Sequence, residues 1–135
     1  MQQITTQQFF FFIADESDIV YNARSEREET RGKFLVRLLE EQGYEMRDIQ
    51  LDFEGPKYEI LGSADLVVFG ENEKPFLIAQ FLRDKPSLTE ISLAREALHE
   101  KIKDLKAKYG VLAWANKKET FLLNNGRIKR VNLHE

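Results

Sequence analysis

Two polar side chains, Asp65 and Gln80, interrupt the most apolar part of this 135-residue chain. Asp65 lies in Gly62-Ser63-Ala64-Asp65-Leu66-Val67-Val68-Phe69, and Gln80 in Pro75-Phe76-Leu77-Ile78-Ala79-Gln80-Phe81-Leu82. A carboxylate taken out of water is costly unless it is paired, hydrogen-bonded or bound to a metal. Asp65 therefore reads in two ways. It is a metal ligand, or it is a hydrogen-bonded carboxylate at a strand start following Gly62-Ser63. Gln80 reads as a buried amide satisfied by backbone or by Asp65. A third acid, Glu28, completes Ser25-Glu26-Arg27-Glu28, the pattern of a capping box, which gives it a structural explanation of its own.

Other residues with chemical potential read more plainly. Cysteine is absent, which excludes disulfides, thiolate metal sites and a cysteine nucleophile. His99 and His134 have no partner at metal-ligand spacing and read as surface residues. Lys101, Lys103, Lys106 and Lys108 interleave with acids and read as a solvated helix face. Trp114, in an apolar run, reads as core.

The elements that must position Asp65 and Gln80 follow from periodicity. The two apolar runs flank Gly70-Glu71-Asn72-Glu73-Lys74 and predict two buried strands joined as a hairpin, with something covering both faces. Upstream, Arg31, Phe34, Leu35, Leu38, Leu39 and Gln42 recur at helical spacing, and Gly43 supplies a stop. This predicts a helix over 26–42. Asp48 to Glu54 alternates polar and apolar and predicts a half-wet strand that places Asp52 and Glu54 on one face. Tyr58 to Leu61 reads as a short extension or a strand. Ser87-Leu88-Thr89-Glu90 is a second capping box. After it Ile91, Ala94, Leu98, Ile102, Leu105 and Tyr109 form one stripe, closed by Gly110. Val111 to Ala115, Thr120 to Leu123 and Arg127 to Val131 predict three more strands, the last two joined at Asn124-Asn125-Gly126. At the N-terminus, the aromatic run at 7–13 and Ile19-Val20-Tyr21 predict further short strands. The fold class is α/β, with a central mixed sheet flanked by two helices.

Length fits one domain: a terminal strand segment over 1–24, a core over 25–124 and a closing strand over 125–135. The unpartnered phenylalanines suggest a unit cut from a larger protein. No apolar run is long enough for a membrane span, and the N-terminus lacks signal-peptide character, so a cytoplasmic location is the expectation. The net charge of −3 conceals an asymmetry. Residues 1–82 carry 8 Lys/Arg against 16 Asp/Glu, a balance of −8, while residues 83–135 carry 12 against 7, a balance of +5. The basic half reads either as a phosphate-facing surface or as solvated lysines.

Several stretches carry a family resemblance: Glu28-Glu29-Thr30-Arg31, Leu38-Leu39-Glu40-Glu41-Gln42-Gly43-Tyr44, Ala64 to Phe69, Lys74 to Ala79, and Lys108 to Asn116. Over roughly residues 26–124 the chain resembles the N-terminal domain of type I restriction enzyme R subunits. That domain belongs to the restriction-endonuclease-like, PD-(D/E)XK group of nucleases. The resemblance implies an αβββαβ core and a site for hydrolysis of DNA. A carboxylate-held Mg²⁺ activates water there, and a lysine stabilises developing charge. It puts Asp65 at the metal-ligand aspartate and Glu28 at the helix acid. At the Glu-x-Lys positions this chain has Gln80-Phe81-Leu82. An amide binds Mg²⁺ more weakly than a carboxylate, and leucine supplies neither charge nor a proton. A glutamine motif on the second helix is replaced by Ala97-Leu98-His99-Glu100-Lys101.

Three functions follow. The first is a catalytically degenerate nuclease-like domain that binds DNA or assembles with other subunits or domains of a restriction-type system. The second is an active Mg²⁺-dependent endonuclease whose missing groups are replaced by Asp52, Glu54 or Lys85. The third is a protein-interaction domain without a nucleic-acid role.

Overall fold

The structure, a computed structural model, describes residues 23–131, with side chains from Glu26 onward. The strands expected at 7–13 and 19–21, and His134, lie outside the described residues. Within them the order is α1 (Ala23–Glu40), β1 (Ile49–Phe53), α2 (Tyr58–Leu61), β2 (Ala64–Phe69), β3 (Pro75–Phe81), α3 (Leu88–Leu105), β4 (Tyr109–Trp114), β5 (Lys117–Asn124) and β6 (Arg127–Val131). The six described strands form one sheet in chain order. All neighbours are antiparallel except β3 and β4, which run parallel across the α3 crossover. This is the expected α/β architecture with a mixed sheet between two long helices.

Alternation along the strands explains the two layers. Leu66, Val68, Ala79, Phe81, Val111 and Ala113 face α1 and pack with its Leu35 and Leu38. Val67, Ile78, Leu112, Trp114 and Phe121 face α3 and pack with its Leu98 and Ile102. The central strands are therefore apolar on both sides, as their composition predicts. Trp114 is core, as expected.

Local signals behave unevenly. Ser87 caps α3 as predicted: its hydroxyl accepts from the Glu90 N–H at 3.1 Å, and the Glu90 carboxylate accepts from the Ser87 N–H at 3.3 Å. The Asn125-Gly126 turn has both residues at positive φ, the conformation that a two-residue hairpin requires. The box at Ser25 is a correction. Helix α1 already includes Ser25, so that serine does not stand before the first turn. Helix α1 also ends at Glu40, short of the expected 42, although Gly43 has the expected positive φ of 76°. Tyr58–Leu61 is a single helical turn, not a strand.

Two further corrections have consequences for the site. Asp52 lies inside β1 with φ of 51°, and this left-handed residue breaks the alternation. Ile49 and Leu51 pack on the α1 side, while Phe53 and its cross-strand partner Ala64 pack on the α3 side. Gly110 does not end the second long helix. That helix stops at Leu105 with Lys106 in the left-handed region, and Gly110 lies within β4. A Cβ at Gly110 would stand 2.2 Å from Cδ1 of Ile102 and 3.6 Å from Cδ1 of Leu98. The missing side chain is what lets α3 lie close against the sheet.

A polar cluster stands at the edge of the α3 layer. Arg95 donates to both carboxylate oxygens of the buried Glu119, at 2.9 and 2.8 Å, and Arg130 approaches to 3.6 Å. The Arg95 hydrogen bonds hold the Glu119 carboxyl below its ordinary range despite burial. His99 is not a surface residue. Its Nε2 is buried, its ring stands edge-on to Phe121 at 4.6 Å, and burial lowers its pKa. Overfilling a packed contact costs about 1–3 kcal/mol. Gly110→Ala is therefore expected to lower the unfolding free energy by roughly that amount; a denaturant midpoint equal to wild type would show that α3 does not rest on this glycine.

Candidate functional site

The sequence places Asp65 and Gln80 on neighbouring strands, and the register brings them together. Leu66 pairs with Ala79, so Asp65 and Gln80 are the next positions outward on β2 and β3. Asp65 lies at the dislocated start of β2, where Ala64 has turned toward the α3 core. Its carboxylate is 6% exposed as a residue and is fully engaged. One oxygen accepts the Phe81 backbone N–H at 2.8 Å, so a side chain supplies a partner for the last N–H of β3. Both oxygens accept from the same terminal nitrogen of Arg27 on α1, each at 3.0 Å. Arg27 also donates through Nε to the Phe81 carbonyl at 2.9 Å. Arg27 and Asp65 together hold both backbone polar groups of Phe81, and they tie α1, β2 and β3 at one point. The Phe81 side chain is fully buried and meets Phe34 of α1 edge-on at 5.5 Å.

Gln80 has a different partner. Its Oε1 accepts from Nζ of Lys101 at 3.1 Å, and the same ammonium donates to the Ser63 carbonyl at 2.9 Å. Lys101 is a correction to the solvated-face expectation: it is only 7% exposed. Lysine heads are rarely buried unless paired. This one has two neutral acceptors within hydrogen-bond distance, and the Asp65 charge acts on it from nearby. Burial lowers its pKa, Asp65 opposes that shift, and Arg27 adds to it. The sequence did carry a faint signal. Lys101 falls three residues after Leu98 and immediately before Ile102, at the margin of the buried stripe.

The remaining candidates are placed as follows. Glu28 is half-buried on α1, one position beyond Arg27, but the α1 side chain that reaches Asp65 is Arg27. Leu82 follows the end of β3 and packs into the α3-side core. Asp52 is largely exposed and bonded to Arg31 at 2.9 Å. The left-handed Asp52 also removes the basis for treating Asp52 and Glu54 as one carboxylate face. Lys85 is exposed in the loop before α3. Arg83 lies beyond β3 and pairs with Glu90.

A divalent ion of the Mg²⁺ type needs several oxygen ligands with carboxylate charge among them. The side chains here do not fit that requirement. The Asp65 carboxylate already accepts three hydrogen bonds, and Gln80 contributes an amide oxygen bonded to Lys101. A guanidinium and an ammonium, both cationic, flank the pair. Among the described residues no group of three or more His, Cys, Asp or Glu is arranged to hold a metal. What the arrangement does chemically is neutralise Asp65 with fixed organic cations.

Two outcomes follow from this geometry. Asp65→Asn keeps an acceptor for Phe81 but loses the charge that pairs with Arg27. It should cost about 1.5–3 kcal/mol in denaturant unfolding; an unchanged midpoint would remove the clamp. For Lys101 the folded pKa lies below the unfolded value of 10.5. The unfolded chain thus holds the proton more tightly, and the buried ammonium costs stability below the folded pKa. That cost is relieved as pH rises from the folded value toward 10.5. The stability of wild type relative to Lys101→Met should therefore increase over that alkaline window, in urea titrations at neutral pH and above. A constant difference would refute the burial of charge.

No curated protein matches the chain closely enough to count as a relative. The family model described as type I restriction enzyme R protein N terminus matches residues 26–133, a span that contains the sheet, α3, all of α1 but its first three residues, and every residue of the site. The chain thus belongs to the family of type I restriction enzyme R protein N-terminal domains.

Proposed function

We propose that this is a restriction-endonuclease-like domain that no longer cleaves DNA and serves a restriction-type system through DNA binding or assembly. The single observation behind this reading is the state of Asp65. Its carboxylate, which in an active PD-(D/E)XK site would hold Mg²⁺, is paired with Arg27 and bonded to Phe81. Gln80 and Leu82, in place of an acid and a lysine, agree with it. A hydrolytic site of this kind gains its rate from a metal that generates hydroxide and from charge placed against the phosphoryl oxygens. With Asp65 neutralised and Gln80 uncharged, the chain keeps the scaffold of such a site and lacks the ligand charge. No cofactor is required for this function.

One observation favours a second reading, an active Mg²⁺-dependent endonuclease with relocated groups. Lys101 brings an ammonium from α3 to the side of Gln80, where a lysine from β3 would otherwise stand. It supplies the charge missing at Leu82 but no metal ligand, which is why the non-cleaving reading is preferred.

Incubation of the protein with duplex and single-stranded DNA, in Mg²⁺ or Mn²⁺, separates the two. The expected result is no cleavage above that of an Asp65→Ala control. Cleavage that disappears in Asp65→Ala would overturn the proposal. Gln80→Glu combined with Leu82→Lys tests the ancestry separately: gain of metal-dependent nicking is the outcome expected of a preserved scaffold.

A further inference from the structure

Helix α1 packs over β3 and β4, and the sheet continues past it into β5 and β6. A groove of ≈ 270 Å³ opens where α1 meets the β4–β5 turn. Among the described residues its lining includes Lys33, Arg37, Lys117 and Lys118 and no carboxylate. The same side of the sheet carries more positive charge. Ala113 on the α1 side pairs with Lys118, Leu122 four positions further along β5 pairs with Lys129, and Asn124 pairs with Arg127. Cross-strand partners share a face. Lys118, Lys129 and Arg127 therefore continue the groove across the outer strands, over six residues of β5, about 20 Å at 3.3 Å per residue.

Ordinary structural roles account for part of this charge. Arg37 in the last turn of α1 complements the helix dipole. Lys33 pairs with Glu29 at 3.3 Å, with both side chains about two-thirds exposed, and such a pair is weak. Neither role explains why cations from α1, the β4–β5 turn and β6 converge on one side of the sheet. The groove also adjoins the Asp65 clamp, because its Phe34 is the ring that meets Phe81.

We infer that this groove and the outer face of β5 and β6 form a docking surface for the phosphate backbone of duplex DNA. The inference rests on the DNA-binding branch of the function proposed above. Charge complementarity selects a polyanion, and the surface chemistry selects the duplex. Single-strand binders present aromatic rings on which bases stack. Among the described residues lining the groove the one aromatic ring, Phe34, is turned into the core against Phe81. Lysines and arginines spread over about 20 Å suit a rigid, regularly charged rod. The contacts are to phosphate, so no base specificity is expected from them.

The test is fluorescence anisotropy of the full chain with a labelled 20-base-pair duplex at 50 and 200 mM NaCl. With about four phosphate contacts, the slope of log K against log salt should be about −3.6, about −0.9 per contact. Arg37→Ala, Lys117→Ala and Lys129→Ala should each weaken binding and reduce the slope by about 1. Lys103→Ala, exposed on α3 over the other face of the sheet, should do neither. Thermal unfolding of each variant confirms an intact fold, and charge reversal at Lys117 should deepen the loss. The inference is overturned if duplex binding is absent at 50 mM salt or if the groove variants bind like wild type. It is also overturned if a single strand binds more tightly than the duplex, or if polyglutamate displaces the duplex at equal charge. DNA cleavage would instead sink the non-cleaving reading and leave the docking surface standing, so the two failures are distinguishable.

Discussion

The end of strand β3 is where this fold is fixed. At Phe81 the sheet runs out, and both of its backbone polar groups would be left in a buried environment without partners. Buried backbone groups are almost always paired. Asp65 answers the N–H and Arg27 answers the carbonyl, and because the two side chains also bond each other, one interaction orders three elements. The phenyl ring of the same residue is core for the α1 layer. Backbone satisfaction, charge pairing and apolar packing thus meet in a single residue.

This constraint also sets the electrostatics around it. Asp65 is a buried negative charge, and such a charge needs a counter-charge close by. Here the guanidinium of Arg27 takes that position directly, and the ammonium of Lys101 stands close enough for Asp65 to oppose its loss of charge. Arginine suits the role because its planar fork can reach the carboxylate and the Phe81 carbonyl together, a geometry that lysine does not offer. Lysine suits the second role because its compact head fits between Gln80 and the Ser63 carbonyl. With these cations in place, the Asp65 carboxylate ties α1, β2 and β3 together.

Much of the architecture was legible from residue pattern. The apolar runs around Asp65 and Gln80, the box at Ser87 and the Asn-Gly turn are local signals, and they produced the strands, helix start and hairpin that periodicity predicts. Errors arose where the determining contact is distant in sequence. Gly110 looks like a helix stop beside Tyr109, yet its role is set by Ile102 pressing on β4. Asp52 sits in a flawless alternation, yet its left-handed backbone moves Phe53 to the other layer. Ser25 opens a good capping box, yet α1 already runs through it.

The amino-acid sequence by itself determined the class of fold, the family and the two positions around which the site is built. These depend on periodicity, turn residues and short stretches of text, all of which are local. Tertiary structure alone decided what those positions do. Arg27 is 38 residues from Asp65, and Lys101 is 21 from Gln80. No spacing rule connects them, because the pairs form only after α1 and α3 have settled on opposite faces of the sheet. A charged side chain looks the same in sequence whether it faces water or a buried carboxylate, and the difference is the layer that folds over it.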